Sequence, residues 1–218
     1  VLFVRPRDKT REIWDGRRFG TRGAQQRFGV DEARPIDALW SDLPELISND
    51  GSVWHTFGRD AEFDRRLFDV FRAVDQRRPK SRLPAHPTLW DPRPALAAQR
   101  LVKDRAEQAA MRRAAAITCA GHVAAMTATR PGMYEYEAQA ALEKVFRDSG
   151  SPRNGYPSIV ASGANACVLH YHENDRRMRN GDLLLIDAGA EIEGVTGDVT
   201  RTFPVNGVFS DAQKAVYQ

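Results

Sequence analysis

The chain has 218 residues, enough for one large domain or two small ones with real cores. Its 42% hydrophobic and 28% charged content, with a formal net charge of +3, is ordinary for a soluble globular protein. No run approaches the roughly 18 apolar residues of a membrane span, and the start of the chain meets Arg5, Arg7 and Lys9 too soon for a secretory leader. Cys119 and Cys167 cannot build a disulfide framework, so a reducing, cytoplasmic setting is expected, with both thiols buried as small hydrophobes. Arginine-rich stretches such as Arg17-Arg18 and Arg77-Arg78-Pro79-Lys80-Ser81-Arg82 raise the question of nucleic acid. Asp8, Glu12, Asp15, Asp69 and Asp75 are threaded through the same regions, which reads as a mixed-charge surface with no phosphate-binding patch.

Residues 1–83 read as a small α/β unit, with strands over 1–4 and 52–57 and helices over 36–48 and 61–76. In the second helix Phe63, Leu67, Val70, Phe71 and Val74 form one apolar face, a core stripe. Prolines at 84, 87, 92 and 94 predict a linker over 84–95. Beyond it, Asp104-Arg105-Ala106-Glu107 has the pattern of a capping box opening a helix to about Ala128. Arg130-Pro131-Gly132 breaks that helix, and 134–147 reads as the next. A loop over 148–157 follows, then strands over 158–162, 166–171, 182–190 and 195–204. The fold class is α+β, helices followed by an antiparallel run. Residue 1 is not Met and already lies in a strand-like run, while Ser210 caps a helix that has run for only two turns at Gln218. The chain is expected to be part of a longer one.

The segment Asp182-Leu-Leu-Leu-Ile-Asp187-Ala-Gly-Ala-Glu191-Ile-Glu-Gly194-Val-Thr-Gly-Asp198-Val-Thr-Arg201-Thr-Phe-Pro204 carries the chemistry. A turn around 191–194 would set residue 191 against 194 and so bring Asp187 opposite Asp198, on the same sheet face. Two carboxylates that close resist joint ionisation unless a cation or a shared proton intervenes, and the apolar run before Asp187 places the pair near a buried sheet. A bound metal is one resolution; turn chemistry, with Arg201 or backbone donors as partners, is the other. Glycines 189, 194 and 197 leave room for close backbone approach or a bulge.

Gly181-Asp-Leu-Leu-Leu-Ile-Asp187-Ala-Gly and Gly197-Asp198-Val-Thr-Arg-Thr-Phe-Pro204 resemble the core motif of aminopeptidase P and prolidase, the proline-specific branch of the pita-bread metallopeptidases. Ser162-Gly163-Ala164-Asn165 with Val168-Leu169-His170-Tyr171, and the segment from Val205 to Tyr217, extend the likeness over most of 95–218; over 1–90 it is weaker but colinear. The resemblance implies part of a creatinase-like N-terminal domain over 1–83 and the first half of a pita-bread catalytic domain over 96–218. It implies Asp187 as a ligand to one metal and Asp198 as a ligand bridging two. The family's other ligands, one His and two Glu, and its Glu general base come from the second half of that domain, beyond Gln218.

His170 and His172 alternate on an expected strand and could share a face. The resemblance gives His170 a place in the substrate site; His172, His55, His86 and His122 are expected at the surface. The implied reaction is metal-assisted hydrolysis, with two divalent ions supplying an activated water and a polarised carbonyl. Mn²⁺ is the expected metal, with Co²⁺ or Zn²⁺ as replacements. The expected substrates are peptides with proline at the second position, cleaved before that proline; no nucleic acid or membrane partner is expected. A sheet edge and apolar face left by the absent half would favour association, so a homo-oligomer is expected. Two other readings are a prolidase acting on Xaa-Pro dipeptides and a catalytically dead pita-bread module that binds peptides. Retention of both aspartates argues against the second.

Overall fold

A computed structural model describes residues 1–47, 52–77 and 87–217, and the chain divides into two units, Val1–Leu101 and Val102–Gln218. Residues 78–82 of the basic run, Pro84 and His86 lie outside the described residues.

The first unit runs β1 (Leu2–Val4), α1 (Lys9–Asp15), α2 (Gly20–Phe28), β2 (Ala33–Pro35), α3 (Leu39–Ile47), β3 (Ser52–Trp54), α4 (Ala61–Arg77), β4 (Thr88–Trp90) and α5 (Pro92–Leu101). β1 pairs with β2 and β3 with β4, both parallel. The apolar face of α4 is core: Leu67, Val70, Phe71 and Val74 are buried with Ile47, and Phe63, Trp40 and Leu43 pack against them.

Two stretches differ from the sequence reading. Residues 9–28 hold α1 and α2, helices too polar to show an apolar stripe; Asp8 starts the first by accepting from Thr10 N at 3.0 Å and Arg11 N at 3.1 Å. The stretch expected as a linker holds β4 and the start of α5. Pro92 is the first residue of α5 and Pro94 the third, positions whose N–H groups have no partner inside a helix, so proline there removes nothing.

The second unit runs α6 (Arg105–Ala128), α7 (Glu135–Asp148), β5 (Ile159–Ser162), β6 (Leu183–Ala188), β7 (Glu191–Ile192), β8 (Val195–Thr196), β9 (Val199–Pro204) and α8 (Asp211–Tyr217). The capping box at Asp104 is present in both directions, each bond 2.8 Å. β5, β6 and β9 form an antiparallel sheet in the order β5-β6-β9. Along β6 the side chains alternate: Leu184, Ile186 and Ala188 are buried in the core with Ala114, Ile117, Leu142 and Phe146 of α6 and α7. Leu183, Leu185 and Asp187 therefore share the opposite face.

Residues 166–171 are not a strand. A 3-10 turn covers Gly163–Cys167 and irregular chain follows, because the Asn165 and Tyr171 side chains turn inward to a buried carboxylate in place of ladder pairing. Cys119 and Cys167 are exposed, not buried: one lies outside the buried stripe of α6, the other at the end of the 3-10 turn.

Candidate functional site

The hairpin that bears the two aspartates turns at Glu193 and Gly194, which have φ of +54° and +80°. Positive φ at both central residues makes the tight turn whose twist suits a hairpin, and glycine fits its second position. Ile192 thus stays in strand β7, buried, and pairs with Val195. The register is shifted by two from the expected one: Asp187 faces Thr200, not Asp198. A shift of two keeps every side chain on its own face, so Asp198 is a diagonal neighbour of Asp187 on the same side. Between β6 and β9 the ladder is interrupted at Gly189 and Gly197, where a Cβ on Gly189 would sit 1.9 Å from the Gly197 carbonyl oxygen. The two chain segments approach here more closely than any side chain would permit.

Helix α6 and the 151–158 loop hold this neck in place. Thr118 donates to the Ala114 carbonyl at 2.8 Å and accepts from Ala190 N at 3.0 Å. Ser151 Oγ donates to the Glu191 carbonyl at 2.9 Å, Gly155 N donates to the Gly189 carbonyl at 2.8 Å, and Arg153 pairs with the Glu191 carboxylate. Asn154 and Ser158 both donate to Glu143 of α7, at 2.7 and 2.8 Å.

Tyr156 lies between those anchors, and its hydroxyl meets Asp187 Oδ1 at 2.5 Å and Asp198 Oδ1 at 3.0 Å. Burial, followed by the hydrogen bonds to Asp187 and Asp198, pushes the Tyr156 hydroxyl well above its ordinary pKa, so it stays protonated and donates. A hydroxyl has one hydrogen to give, yet two carboxylates converge on it. No ion pair reaches either carboxylate among the described residues. Asp187 is half-buried and Asp198 exposed, so like-charge convergence, more than burial, makes the pair a candidate cation site. No third His, Cys, Asp or Glu joins them among the described residues. The donor set fits part of a carboxylate-bridged centre.

His170 is exposed, and its ring lies 6.4 Å from that of His172, at 17° to it; no hydrogen bond joins it to Asp187 or Asp198 among the described residues. Its neighbour Tyr171 is buried with Ile159 and Ala161, and Leu185 packs against them. Ile159 pairs with Asp187, so this small cluster occupies the Asp187 face of the sheet. His172 is exposed as expected. His122 is not: it is 2% exposed on α6, and burial, outweighing the backbone of Ala188 and Val199, lowers its pKa. It continues the buried stripe Ala114, Thr118, Ala125 at helical spacing, a signal present in the sequence. His55 is half-buried, held by Asp64 at 2.7 Å and stacked on Phe63.

Tyr156 escaped the sequence reading. A lone aromatic between Gly155 and Pro157 in a loop is the trace it left, because loop residues placed on a rigid scaffold are common site residues.

Residues 109–218 match the model of metallopeptidase family M24, and residues 1–54 match that of the aminopeptidase P N-terminal domain. The Xaa-Pro aminopeptidase of Escherichia coli strain K12 is 44% identical over 219 residues, covering 100% of this chain and 49% of the relative. The structure of Pseudomonas aeruginosa aminopeptidase PepP aligns with a TM-score of 0.87 at 44% identity, over 99% of this chain and 48% of that one. Zinc-substituted E. coli aminopeptidase P in complex with product aligns with a TM-score of 0.88 at 41% identity, over 99% of this chain and 49% of that one. The chain spans about half the length of the relatives it matches.

Proposed function

The chain belongs to metallopeptidase family M24, and from that premise we propose that it is the middle portion of a proline-specific metalloaminopeptidase. The reaction is hydrolysis of the peptide bond before a penultimate proline, releasing the N-terminal residue. The observation that carries this reading is the convergence of Asp187 and Asp198 on one hydroxyl, with no ion pair to either carboxylate among the described residues.

In this reading Asp187 would hold one divalent ion and Asp198 would be shared between two, with Mn²⁺ favoured by oxygen-dominated ligation. Bound there, the ions supply an activated water and Lewis-acid polarisation of the scissile carbonyl. Tyr156 orients the two carboxylates, and His170, on the chain that emerges beside the Asp187 face, binds the substrate. The remaining ligands and the general base are assigned to the part of the relatives that this chain does not span. Residues 96–218 are then the first half of the catalytic domain, and 1–83 part of the N-terminal domain.

The working protein is proposed to be cytoplasmic, which suits the exposed, unpaired Cys119 and Cys167, and to form a homo-oligomer. Nucleic acid is not among its proposed partners: Arg34 pairs with Glu32 and Asp42, Arg65 with Glu62 and Asp69, and Arg93 with Asp91.

The test is a substrate panel on the full-length protein. Release of the N-terminal residue from Xaa-Pro tripeptides, and none when alanine replaces the proline, supports the reading. Cleavage confined to Xaa-Pro dipeptides would assign a prolidase instead, and no cleavage of either would leave a binding module.

A further inference from the structure

Glu135, the first residue of α7, is 0% exposed and lies outside the aspartate pair. Five donors converge on its carboxylate. Ser162 N at 2.6 Å, Ser162 Oγ at 2.7 Å and Asn165 Nδ2 at 3.3 Å reach Oε1; Tyr171 OH at 2.8 Å and Arg176 N at 3.0 Å reach Oε2. Tyr171 is in turn the acceptor of Asn165 Nδ2 at 2.9 Å. Burial, then the hydrogen bond to Glu135, pushes the Tyr171 hydroxyl up to about 12, so it remains a donor.

The partners are not spread at random. Asn165 and Tyr171 are the two ends of one loop, and Glu135 ties both ends to the same helix terminus. Between them Cys167, Val168, Leu169 and His170 are exposed, Leu169 by 90%. That loop is therefore fixed at its stem and free at its crown, and His170 sits one residue from the Tyr171 anchor. For stability alone, a buried carboxylate with five donors has little advantage over an apolar core of equal volume. Its distinctive property is geometric, since a fully satisfied polar network holds its members in one arrangement.

We propose that Glu135 is a positioning residue: through Tyr171 and Asn165 it sets where His170 stands on the Asp187 side of the sheet. The inference rests on the reading of His170 as substrate-binding. Glu135 touches no substrate in this account, because every oxygen lone pair available to it is already committed to a donor of its own chain.

The experiment uses the full-length protein and the variants Glu135→Gln, Tyr171→Phe, His170→Ala and the doubles with His170→Ala. Tyr171→Phe removes one hydroxyl and keeps the test alive if Glu135→Gln does not fold. Each single variant is expected to lower kcat/KM for an Xaa-Pro peptide about tenfold at unchanged metal content. In the His170→Ala background, Tyr171→Phe should change kcat/KM by no more than about twofold, the non-additivity of residues acting as one unit. Independent, multiplying effects would overturn the proposal. Hydrogen exchange gives a readout separate from activity: amides of 166–170 should exchange faster in Tyr171→Phe while those of α7 and β6 do not. Unchanged protection over 166–170 would remove the positioning role. A silent His170→Ala with a loosened loop would instead overturn the substrate reading on which the proposal stands.

Discussion

Tyr156 donates its hydroxyl hydrogen to Asp187 across 2.5 Å, from a loop 31 residues upstream in sequence. The same oxygen lies 3.0 Å from Asp198, so one side chain sets the orientation of both carboxylates. Outer-shell hydrogen bonds of this kind are worth about 10–100-fold in metal affinity. Tyr156→Phe in the full-length protein should therefore weaken divalent-metal binding by at least about tenfold in a calorimetric titration. Affinity equal to wild type would show that the aspartates are oriented without it.

The neck of the hairpin should be intolerant of a single methyl group. A Cβ at Gly189 would lie 1.9 Å from a backbone oxygen, an atom that cannot swing aside, so Gly189→Ala is expected to destabilise by about 1–3 kcal/mol or more. A Cβ at Gly23, inside α2, would meet only the Phe19 side chain, at an ordinary contact distance of 3.4 Å. Gly23→Ala should therefore stabilise by up to about 1 kcal/mol through helix propensity. Denaturant melts of the two variants should shift in opposite directions.

Asp182 gives a pH signature away from the site. Burial alone would raise its pKa, but Arg176 at 2.7 Å and the Arg179 amide at 2.7 Å outweigh it and hold the carboxyl below its ordinary range. A depressed folded-state pKa stabilises above the unfolded value of about 3.9 and loses that stabilisation as pH falls through the lower folded value. Wild type should exceed Asp182→Asn by about 1–3 kcal/mol near neutral pH, and the gap should close below about pH 4. A gap that stays constant across that range would contradict the assignment.

The sequence is readable wherever one local rule acts alone. The α4 stripe, the Asp104 capping box and the strands bearing Leu184 and Phe203 follow from periodicity and capping. Reading fails where tertiary partners decide. Residues 166–171 look like a strand, yet Glu135, distant in sequence, draws Asn165 and Tyr171 inward. The aspartates are legible but their register is not, because the buried Ile192 moves the turn to Glu193 and Gly194. Tyr156 carries no motif at all: its role exists only once the 151–158 loop is tied to Glu143 and Glu191.

Residues 1–218 expressed alone should show no turnover of an Xaa-Pro peptide and at best weak metal binding. Asp187 and Asp198 supply too few ligands for a dimetal centre, and exposed apolar side chains such as Leu169 and Val216, 90% and 89% exposed, favour association. Light scattering and a peptide assay check both halves of the expectation. A monomer that turns over substrate would contradict it.

Chelation of the full-length protein tests the central claim most directly. Exhaustive removal of divalent ions should abolish release of the N-terminal residue from an Xaa-Pro peptide, and Mn²⁺ should restore it in wild type but not in Asp198→Asn. A single arginine change within 1–90 should matter far less, because an exposed ion pair contributes about 0–1 kcal/mol. Activity that survives chelation, or full restoration of Asp198→Asn by Mn²⁺, would contradict a reaction built on the Asp187–Asp198 pair.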